Sequence, residues 1–362
     1  MLLVVNAGSS SLKLALFDAA LGEVAVARSE RIGAGEHGAA LKNGLAQMGV
    51  GASDLTAAAH RVVHGGVGLI RACKITPAVL DAIRGCIPLA PLHNPANLSG
   101  IEGVAELAPD LPQFASFDTA FHATNPQVAV RYALPESDQN RGLRRYGFHG
   151  LSYASIVRKV KEKSQYNPPE RLLALHLGNG ASLCAIRDGQ SVATTMGYSP
   201  LDGLTMGTRA GSIDGNAVLR LAEVHGITGA GRILNHASGL LALGGHSDMR
   251  GLHGAGTPEA EFAVQHFIYW ATRHAGSMIA AMQGLDAIAF TGGIGENDAK
   301  VRAGIVQGLG WIGAVIDADA NAAGAHTLHK AASAVAIWTV PAEEERQIAL
   351  EATELMQAQG QA

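Results

Sequence analysis

The chain has 362 residues, of which 48% are hydrophobic and 16% charged, and its formal net charge is −4 at pH 7. The length predicts two domains, the hydrophobic content excludes a disordered chain, and the charge argues against a nucleic-acid-binding protein. Three scattered cysteines lack zinc spacing, the N-terminus is unlike a signal peptide, and no apolar run could span a membrane. These features predict a reduced, cytoplasmic protein.

Two segments with the same pattern begin the two halves of the chain. Residues 2–18 (LLVVNAGSSSLKLALFD) and 172–188 (LLALHLGNGASLCAIRD) each contain two apolar runs separated by a turn of small residues. Each pattern predicts a β-hairpin, and a further β-run follows each one, at 23–32 and 191–198. The repeat predicts two related domains that open with antiparallel strands, although chance similarity between short strands would look the same.

The other predicted elements are of mixed type, as in an α/β protein. Thr76 followed by Pro77 predicts the start of a helix over 76–86. The polar stretch 161–170 contains two prolines and is predicted to be a linker or surface loop. The remaining predictions are a helix over 258–283, a strand over 285–290, a glycine turn over 292–295, a helix beginning near Asp298 and a terminal helix over 343–359.

The two hairpin tips, NAGSSS (6–11) and LGNGAS (177–182), carry little side-chain bulk. Such turns can direct backbone N–H groups at phosphate oxygens, although an ordinary tight hairpin has the same composition. Because two such tips occur, the pattern favours phosphate binding. The Walker A, HExxH and GxSxG patterns are absent from the sequence, which removes support for a P-loop protein, a metalloprotease or an esterase.

Several polar clusters follow apolar runs. His60 and His64 stand four residues apart, which would suit zinc on a helix, but the valines between them favour a strand. Arg209 lies in the small-residue loop GLTMGTRAGS, and its planar donors suit a delocalised anionic charge. The segment FTGGIGEN (290–297) predicts a strand and a flat glycine slot that could hold an aromatic base.

Taken together, NAGSSSLK, HRVVHGG, APLHNPAN, FDTAFH, YGFHG, HLGNGAS, GTR and FTGGIGEN occur in the order typical of acetate kinases, and the chain resembles that family from near residue 6 to near residue 344. The resemblance implies a two-domain actin-like ATPase (ribonuclease H-like) fold, α/β in class, with duplicated mixed sheets flanked by helices. It assigns residues 1–150, joined by the C-terminal helix 346–362, to an N-terminal domain. Residues 151–345 would form the nucleotide-binding domain.

The resemblance also implies roles for individual residues. The catalytic residues would be Arg61, Asp118, His149 and Arg209, supported by His93 and His176. Asn6 and Glu344 would hold Mg²⁺ or Mn²⁺, with Glu343 or Glu345 as alternatives to Glu344. The acid would be bound by Arg61 and by an apolar pocket of Val63, Leu92, Phe148 and Pro200. ATP would contact Lys13, His176, Leu177, Gly178, Asn179, Gly180, Asp248, Met249, Arg250, Gly293, Ile294, Gly295 and Asn297.

The implied reaction is reversible in-line transfer of a phosphoryl group from ATP to acetate. A carboxylate needs no general base, so the protein must mainly align the reactants and absorb negative charge. Propionate or butyrate is the alternative acid, since one methylene changes binding by only roughly 1–3 kcal/mol. The joint presence of Arg61, His149 and Arg209 disfavours a non-catalytic nucleotide-dependent protein, and a zinc hydrolase is disfavoured further. We also expect a homodimer, by resemblance, and loops from both halves that converge on one groove.

Overall fold

The computed structural model describes residues 1–33, 36–135, 137, 142–163, 168–358 and 360. The chain divides into a first unit, made of Met1–Ala123, Phe148–Ser155 and Glu343–Ala362, and a second unit, made of Thr124–Gly147 and Ile156–Ala342. The predicted domain boundaries stay a proposal. The units differ from them chiefly in placing residues 124–147 in the second unit.

The first unit contains a six-stranded mixed sheet with the order β3-β2-β1-β4-β6-β5. Strands β1, β4 and β6 run parallel to one another, whereas β2, β3 and β5 pair antiparallel with their neighbours. The carboxyl ends of the three parallel strands therefore lie at one edge of the sheet. The strands are β1 (Leu2–Ala7), β2 (Ser11–Phe17), β3 (Glu23–Glu30), β4 (Ala57–Val62), β5 (Cys73–Lys74) and β6 (Gln113–Phe117).

The second unit contains a five-stranded sheet with the order β11-β10-β7-β8-β9. As in the first sheet, an antiparallel β-meander leads into a parallel neighbour: β7 pairs antiparallel with β8 and parallel with β10. The sequence repeat thus reflects a duplicated strand arrangement. The strands are β7 (Arg171–Leu177), β8 (Ala181–Arg187), β9 (Gln190–Thr194), β10 (Ala287–Thr291) and β11 (Ala336–Thr339).

Helices account for most of the remaining regular structure. Helix α5 begins in the first unit and continues into the second. The helices are α1 (His37–Gln47), α2 (Pro77–Gly85), α3 (Asn94–Leu107), α4 (Gln127–Val130), α5 (Gly150–Lys163), α6 (Gly215–His236), α7 (Gly239–Gly244), α8 (Met249–Ala255), α9 (Pro258–Met282), α10 (Gly292–Asn297), α11 (Ala299–Gly308), α12 (Ala318–Ala322) and α13 (Glu344–Ala358).

Strand β1 shows why its sequence is apolar at nearly every position. Leu3 and Val5 pack in one core cluster with residues of α1 and α3, whereas Leu2 and Val4 pack in a second cluster with residues of α13. Side chains of a strand alternate between the two faces of a sheet, so a strand covered on both faces needs apolar residues throughout. This burial fixes the register that places Asn6 at the carboxyl end of β1.

Both predicted hairpins are confirmed: β1 pairs with β2 from Leu2↔Phe17 to Ala7↔Leu12, and β7 pairs with β8 from Arg171↔Arg187 to Leu177↔Ala181. The strands predicted after them are β3 and β9. The predicted helix starts at Thr76 and Thr257 are also confirmed, since each hydroxyl accepts a hydrogen bond from a backbone N–H of the first turn. Local sequence was sufficient for these elements.

One predicted element is wrong. The segment predicted as a glycine turn at 292–295 is the short helix α10, which follows β10 directly because Gly292, at φ 79°, turns the chain. Helix α11 begins after Asp298, as predicted, with Asp298 as its N-cap. Of the predicted linker at 161–170, residues 161–163 end helix α5, and residues 164–167 lie outside the described residues. In the described part of the chain, no helix combines the length and the hydropathy needed to cross a bilayer.

Candidate functional site

The first hairpin brings three charged or polar side chains together. Asn6 and Lys13 are cross-strand partners at the carboxyl end of β1. Glu345, in the first turn of α13, accepts a hydrogen bond from Lys13 Nζ at 2.8 Å and one from Asn6 Nδ2 at 3.5 Å. The terminal helix therefore returns to the end of β1, as its burial against Leu2 and Val4 requires.

Arg61 lies beside this hairpin, near the end of β4. Its Nε and Nη2 donate to the two carboxylate oxygens of Asp118 at 3.0 and 2.6 Å, and its Nη1 donates to Asn6 Oδ1 at 3.3 Å. A bidentate pair of this kind fixes the plane of the guanidinium. Because Asn6, Arg61 and Asp118 end or follow the parallel strands β1, β4 and β6, the sheet itself assembles them.

Carboxylates outnumber cations in this cluster. Burial opposes the charge on Arg61, but Asp118, Glu344 and Glu345 raise its pKa above the ordinary value. Burial also raises the pKa of Glu344 to about 7, and the charges of Asp118 and Glu345 add to this, whereas Arg61 and Lys13 act against it. Three acids thus face two cations, and an additional cation would relieve the repulsion.

The donor set of this cluster suits a hard divalent cation. Magnesium prefers oxygen ligands and is often held by one or two carboxylates together with waters and substrate phosphates. An amide oxygen of Asn6 and the carboxylates of Glu344 and Glu345 are donors of this kind. Glu343 fits less well, since the carboxylates that act on Arg61 are those of Asp118, Glu344 and Glu345, whereas Glu343 pairs with Arg346 at 3.5 Å. Over the described residues, no group of three or more His, Cys, Asp or Glu side chains is placed to hold a metal ion.

The histidines near Arg61 have structural partners. His60 is buried within β4, its Nε2 lies 2.7 Å from Gln113 Oε1, and burial lowers its pKa to about 4. Nδ1 of His64 accepts a hydrogen bond from the Gly66 N–H, and the His64 ring contacts the ring of Phe148. Because β4 is a strand, His60 and His64 lack the helical spacing that a zinc pair would need.

His149 adopts a backbone conformation that is uncommon for a residue other than glycine, with φ 59°. It precedes Gly150, whose N–H donates to the Asp118 carbonyl at 2.9 Å. A Cβ on Gly150 would overlap that carbonyl oxygen. This close crossing of two chain segments brings the backbone of His149 next to that of Asp118.

The other predicted residues of the first unit lie near the ends of three elements: Val63 follows β4, Leu92 and His93 precede α3, and Phe148 precedes α5. Val63 is buried, and Phe148 is buried against His64, whereas Leu92 is 47% exposed. His93 occupies the N-cap position of α3 without capping it through its side chain. The structure therefore gives Val63 and Phe148 the burial expected of an apolar pocket, and it leaves Leu92 at the surface of this unit.

The second unit contains a cavity of about 730 Å³ between the second hairpin tip, helix α8 and helix α10. Most of the residues predicted to contact ATP line it, but Lys13, His176, Leu177, Gly180 and Gly295 are not among its lining residues. The predicted residues that line the cavity are Gly178, Asn179, Asp248, Met249, Arg250, Gly293, Ile294 and Asn297.

Four residues that were not predicted to contact ATP also line this cavity: Ser247, His253, Asp298 and Ala299. His253 Nε2 lies 2.8 Å from Asp298 Oδ2, so the last turn of α8 is tied to the start of α11. The N-cap pattern had already indicated Asp298 as a helix start. Nothing in the local sequence indicated His253, because its partner is 45 residues away.

The loop that carries Arg209 contacts residues that line the cavity and residues at the start of helix α7. A Cβ on Gly207 would overlap Asn179 Oδ1 and lie 2.6 Å from the Ser247 carbonyl oxygen. The backbone N–H groups of Ser238, Leu240 and Leu241 donate to the carbonyls of Thr208, Met206 and Gly207, respectively. The first N–H groups of α7, which lack partners within the helix, thus hold the loop.

Arg209 itself is a half-buried cation without an acidic partner in the described part of the chain. Its Nη1 donates to the Pro200 carbonyl at 2.8 Å. Burial lowers the pKa of its guanidinium. A guanidinium in this situation gains from a bound anion, because the anion supplies the missing countercharge.

Comparisons with known proteins identify the family to which the chain belongs. Residues 25–350 match the model of the acetokinase family. The acetate kinase of Methylocella silvestris is 45% identical over 90% of this chain and 81% of that protein. The crystal structure of Porphyromonas gingivalis acetate kinase superposes with a TM-score of 0.90 at 32% identity, covering 98% of this chain and 99% of that one. A propionate kinase from Francisella tularensis superposes with a TM-score of 0.89 at 34% identity, covering 97% and 98%.

Proposed function

Because the chain belongs to the acetokinase family, we propose that it is an ATP-dependent kinase that phosphorylates acetate reversibly, giving ADP and acetyl phosphate. The observation that carries the proposal is the contrast between its two arginines. Arg61 is held by Asp118, whereas Arg209 is half-buried without a countercharge among the described residues. A substrate anion would supply that charge.

The reaction requires little chemistry from the side chains. A carboxylate oxygen of the acid attacks the γ-phosphorus as the bond to the β–γ bridging oxygen of ATP breaks, and ADP leaves with that electron pair. The acid is already ionised at pH 7, so no base is needed. Arg61 and Arg209 would orient the acid and stabilise charge on the equatorial oxygens, and His149 would donate a hydrogen bond.

Magnesium, when bound, supplies positive charge to the nucleotide phosphates. We propose Asn6 and Glu344 as its protein ligands, with Glu345 as the alternative. Lys13 would neutralise phosphate charge from the other strand of the hairpin. Adenosine would occupy the cavity lined by Asp248, Gly293 and Asn297 in the second unit.

Trapping of the acyl phosphate with hydroxylamine tests the proposed reaction. Purified protein with ATP and magnesium should form hydroxamate with acetate, and Arg209→Ala should lower kcat by about 100-fold or more with the fold intact. A rate near that of the wild type in Arg209→Ala would contradict the proposed role. The acids should be compared in parallel, since the likeness to a propionate kinase makes propionate the second candidate substrate, followed by butyrate.

A homodimer is proposed as well, on the support of exposed apolar side chains in the second unit. Leu219, Val224 and Ile227 of α6 are 62%, 56% and 85% exposed. Light scattering should give twice the chain mass, and Ile227→Glu should give the monomer mass if α6 forms the contact. The cytoplasmic location predicted from the sequence is tested separately by cell fractionation.

A further inference from the structure

One buried amide connects the two chain segments that carry the first hairpin tip and Arg61. Asn97 lies in the first turns of α3 and is 2% exposed. Its Nδ2 donates to the Ala7 carbonyl at 2.7 Å, and its Oδ1 accepts from the Val63 N–H at 3.0 Å. Both ends of the amide are therefore bound to main chain.

The position of these two hydrogen bonds matters because the β-ladder has ended there. Strands β1 and β4 pair from Leu2↔Ala57 to Val5↔His60. Beyond Val5 and His60, Asn97 holds the two backbones together at Ala7 and Val63. Asn6 comes one residue before Ala7, Arg61 comes two residues before Val63, and Arg61 Nη1 lies 3.3 Å from Asn6 Oδ1.

Helix α3 can reach this point because a glycine lies on the face that approaches β1. A Cβ on Gly100 would lie 3.1 Å from Ala7 Cβ and 3.4 Å from Val5 Cγ1. Such distances are tighter than ordinary van der Waals contact, so the glycine permits the close approach. Asn97, one turn earlier, is thereby within hydrogen-bonding distance of the Ala7 carbonyl.

We infer that Asn97 is a positioning residue for phosphoryl transfer, which sets the separation between the Asn6 amide and the Arg61 guanidinium. The inference rests on the proposed kinase activity. Its physical basis is that misplacing a reacting or orienting group by about 1 Å can cost about 100-fold in rate. Beyond the last paired residues of β1 and β4, the Asn97 amide makes two hydrogen bonds that link the two backbones. These bonds can prevent a shift of Asn6 relative to Arg61.

The chain offers a matched control on the same helix turn. Asn94 is also fully buried, accepts from the His64 N–H at 3.1 Å and donates to the His64 carbonyl at 3.0 Å. Its Nδ2 also donates to the Ile83 carbonyl at 3.4 Å. Asn94 thus holds the segment after β4, and its hydrogen bonds go to His64 and Ile83 rather than to Ala7. Substitutions at Asn94 therefore report the cost of losing a buried amide without releasing the first hairpin tip.

The experiment compares Asn97→Asp, Asn97→Leu, Asn94→Asp and Asn94→Leu in the full-length protein. Asn97→Asp keeps an acceptor for Val63 but places a carboxylate against the Ala7 carbonyl, so it should detach β1 from this contact. We expect both Asn97 variants to lower kcat at least tenfold, with ADP binding measured by calorimetry unchanged. The Asn94 variants should lower thermal stability to a similar extent with a much smaller effect on kcat.

A double substitution separates positioning from general destabilisation. In an Arg61→Ala background, Asn97→Leu should cause a much smaller loss of kcat than it causes in the wild type, because one of the two groups whose separation Asn97 sets is gone. Equal losses of kcat in matched Asn97 and Asn94 variants, or additive losses with Arg61→Ala, would overturn the inference. Absence of acyl phosphate formation by the wild type would instead overturn the proposed function, so the two failures are distinguishable.

Discussion

Breaking the ion pair between Arg61 and Asp118 should lower both the free energy of unfolding and kcat, and the two losses can be measured separately. Asp118 is 1% exposed and receives two hydrogen bonds from Arg61, whose side chain is 22% exposed. Removal of one partner from a buried pair typically costs about 3–5 kcal/mol, because the other charge is left uncompensated. For Asp118→Asn we expect about 3 kcal/mol, at the low end of that range, since Glu344 and Glu345 still act on Arg61.

The double variant Arg61→Gln/Asp118→Asn distinguishes charge compensation from simple loss of contacts. It removes one positive and one negative charge together, so the excess of carboxylates over cations in the cluster is unchanged. Its free energy of unfolding, measured by urea denaturation, should therefore be closer to that of the wild type than the value for either single variant is. Its kcat in the hydroxylamine assay should stay at least 100-fold below that of the wild type, because the guanidinium proposed to bind the acid is missing. Recovery of stability without recovery of activity is the expected signature.

Two results would refute this reasoning. If the destabilisations of the single variants add in the double variant, the pair contributes no compensation, and its role is packing alone. If the double variant recovers activity together with stability, Arg61 does not act on the substrate. The matched replacements, Gln for Arg and Asn for Asp, keep polar groups at both positions, so a large cavity is not an alternative cause.

Three further predictions follow from single positions. Gly239→Ala should lower kcat about 100-fold and leave ADP binding, measured by stopped flow, unchanged. Gly239 has φ 66°, and a Cβ there would overlap the Met206 carbonyl oxygen and lie 2.8 Å from the Arg209 carbonyl oxygen, so the substitution should displace the loop that carries Arg209. An unchanged kcat would show that Gly239 does not support this loop. Gly293→Val should fold normally, since a Cβ there meets no atom within 4 Å. The valine should fill part of the cavity and raise the KM for ATP at least tenfold. An unchanged KM would show that adenosine binds elsewhere. Burial lowers the pKa of His60 from 6.5 to about 4, so the contribution of His60 to stability is complete above pH 6.5 and about 3 kcal/mol is lost as the pH falls toward 4. His60→Gln should therefore flatten the dependence of the free energy of unfolding in urea on pH. An unaltered pH dependence would contradict the lowered pKa of His60.

Local sequence determined the elements that depend on neighbouring residues. Alternation of apolar residues around small tips predicted both hairpins, and Thr-Pro pairs predicted two helix starts, because these signals act over a few residues. The resemblance to a family supplied the site residues. Eight of the residues it named for ATP line one cavity, although their roles stay predictions until they are tested.

The tertiary structure decided what no local pattern could indicate. Asn97 bonds to a carbonyl 90 residues away, and Glu345 bonds to a side chain 339 residues away. Both contacts exist because strands β1 and β4 are neighbours and α13 packs back on β1. Whether Gly292–Asn297 forms a turn or a helix was likewise decided by the strand that precedes it. Hydrogen-bond partners of this kind depend on strand order and helix packing, and these are set by burial over the whole unit rather than by residues adjacent in sequence.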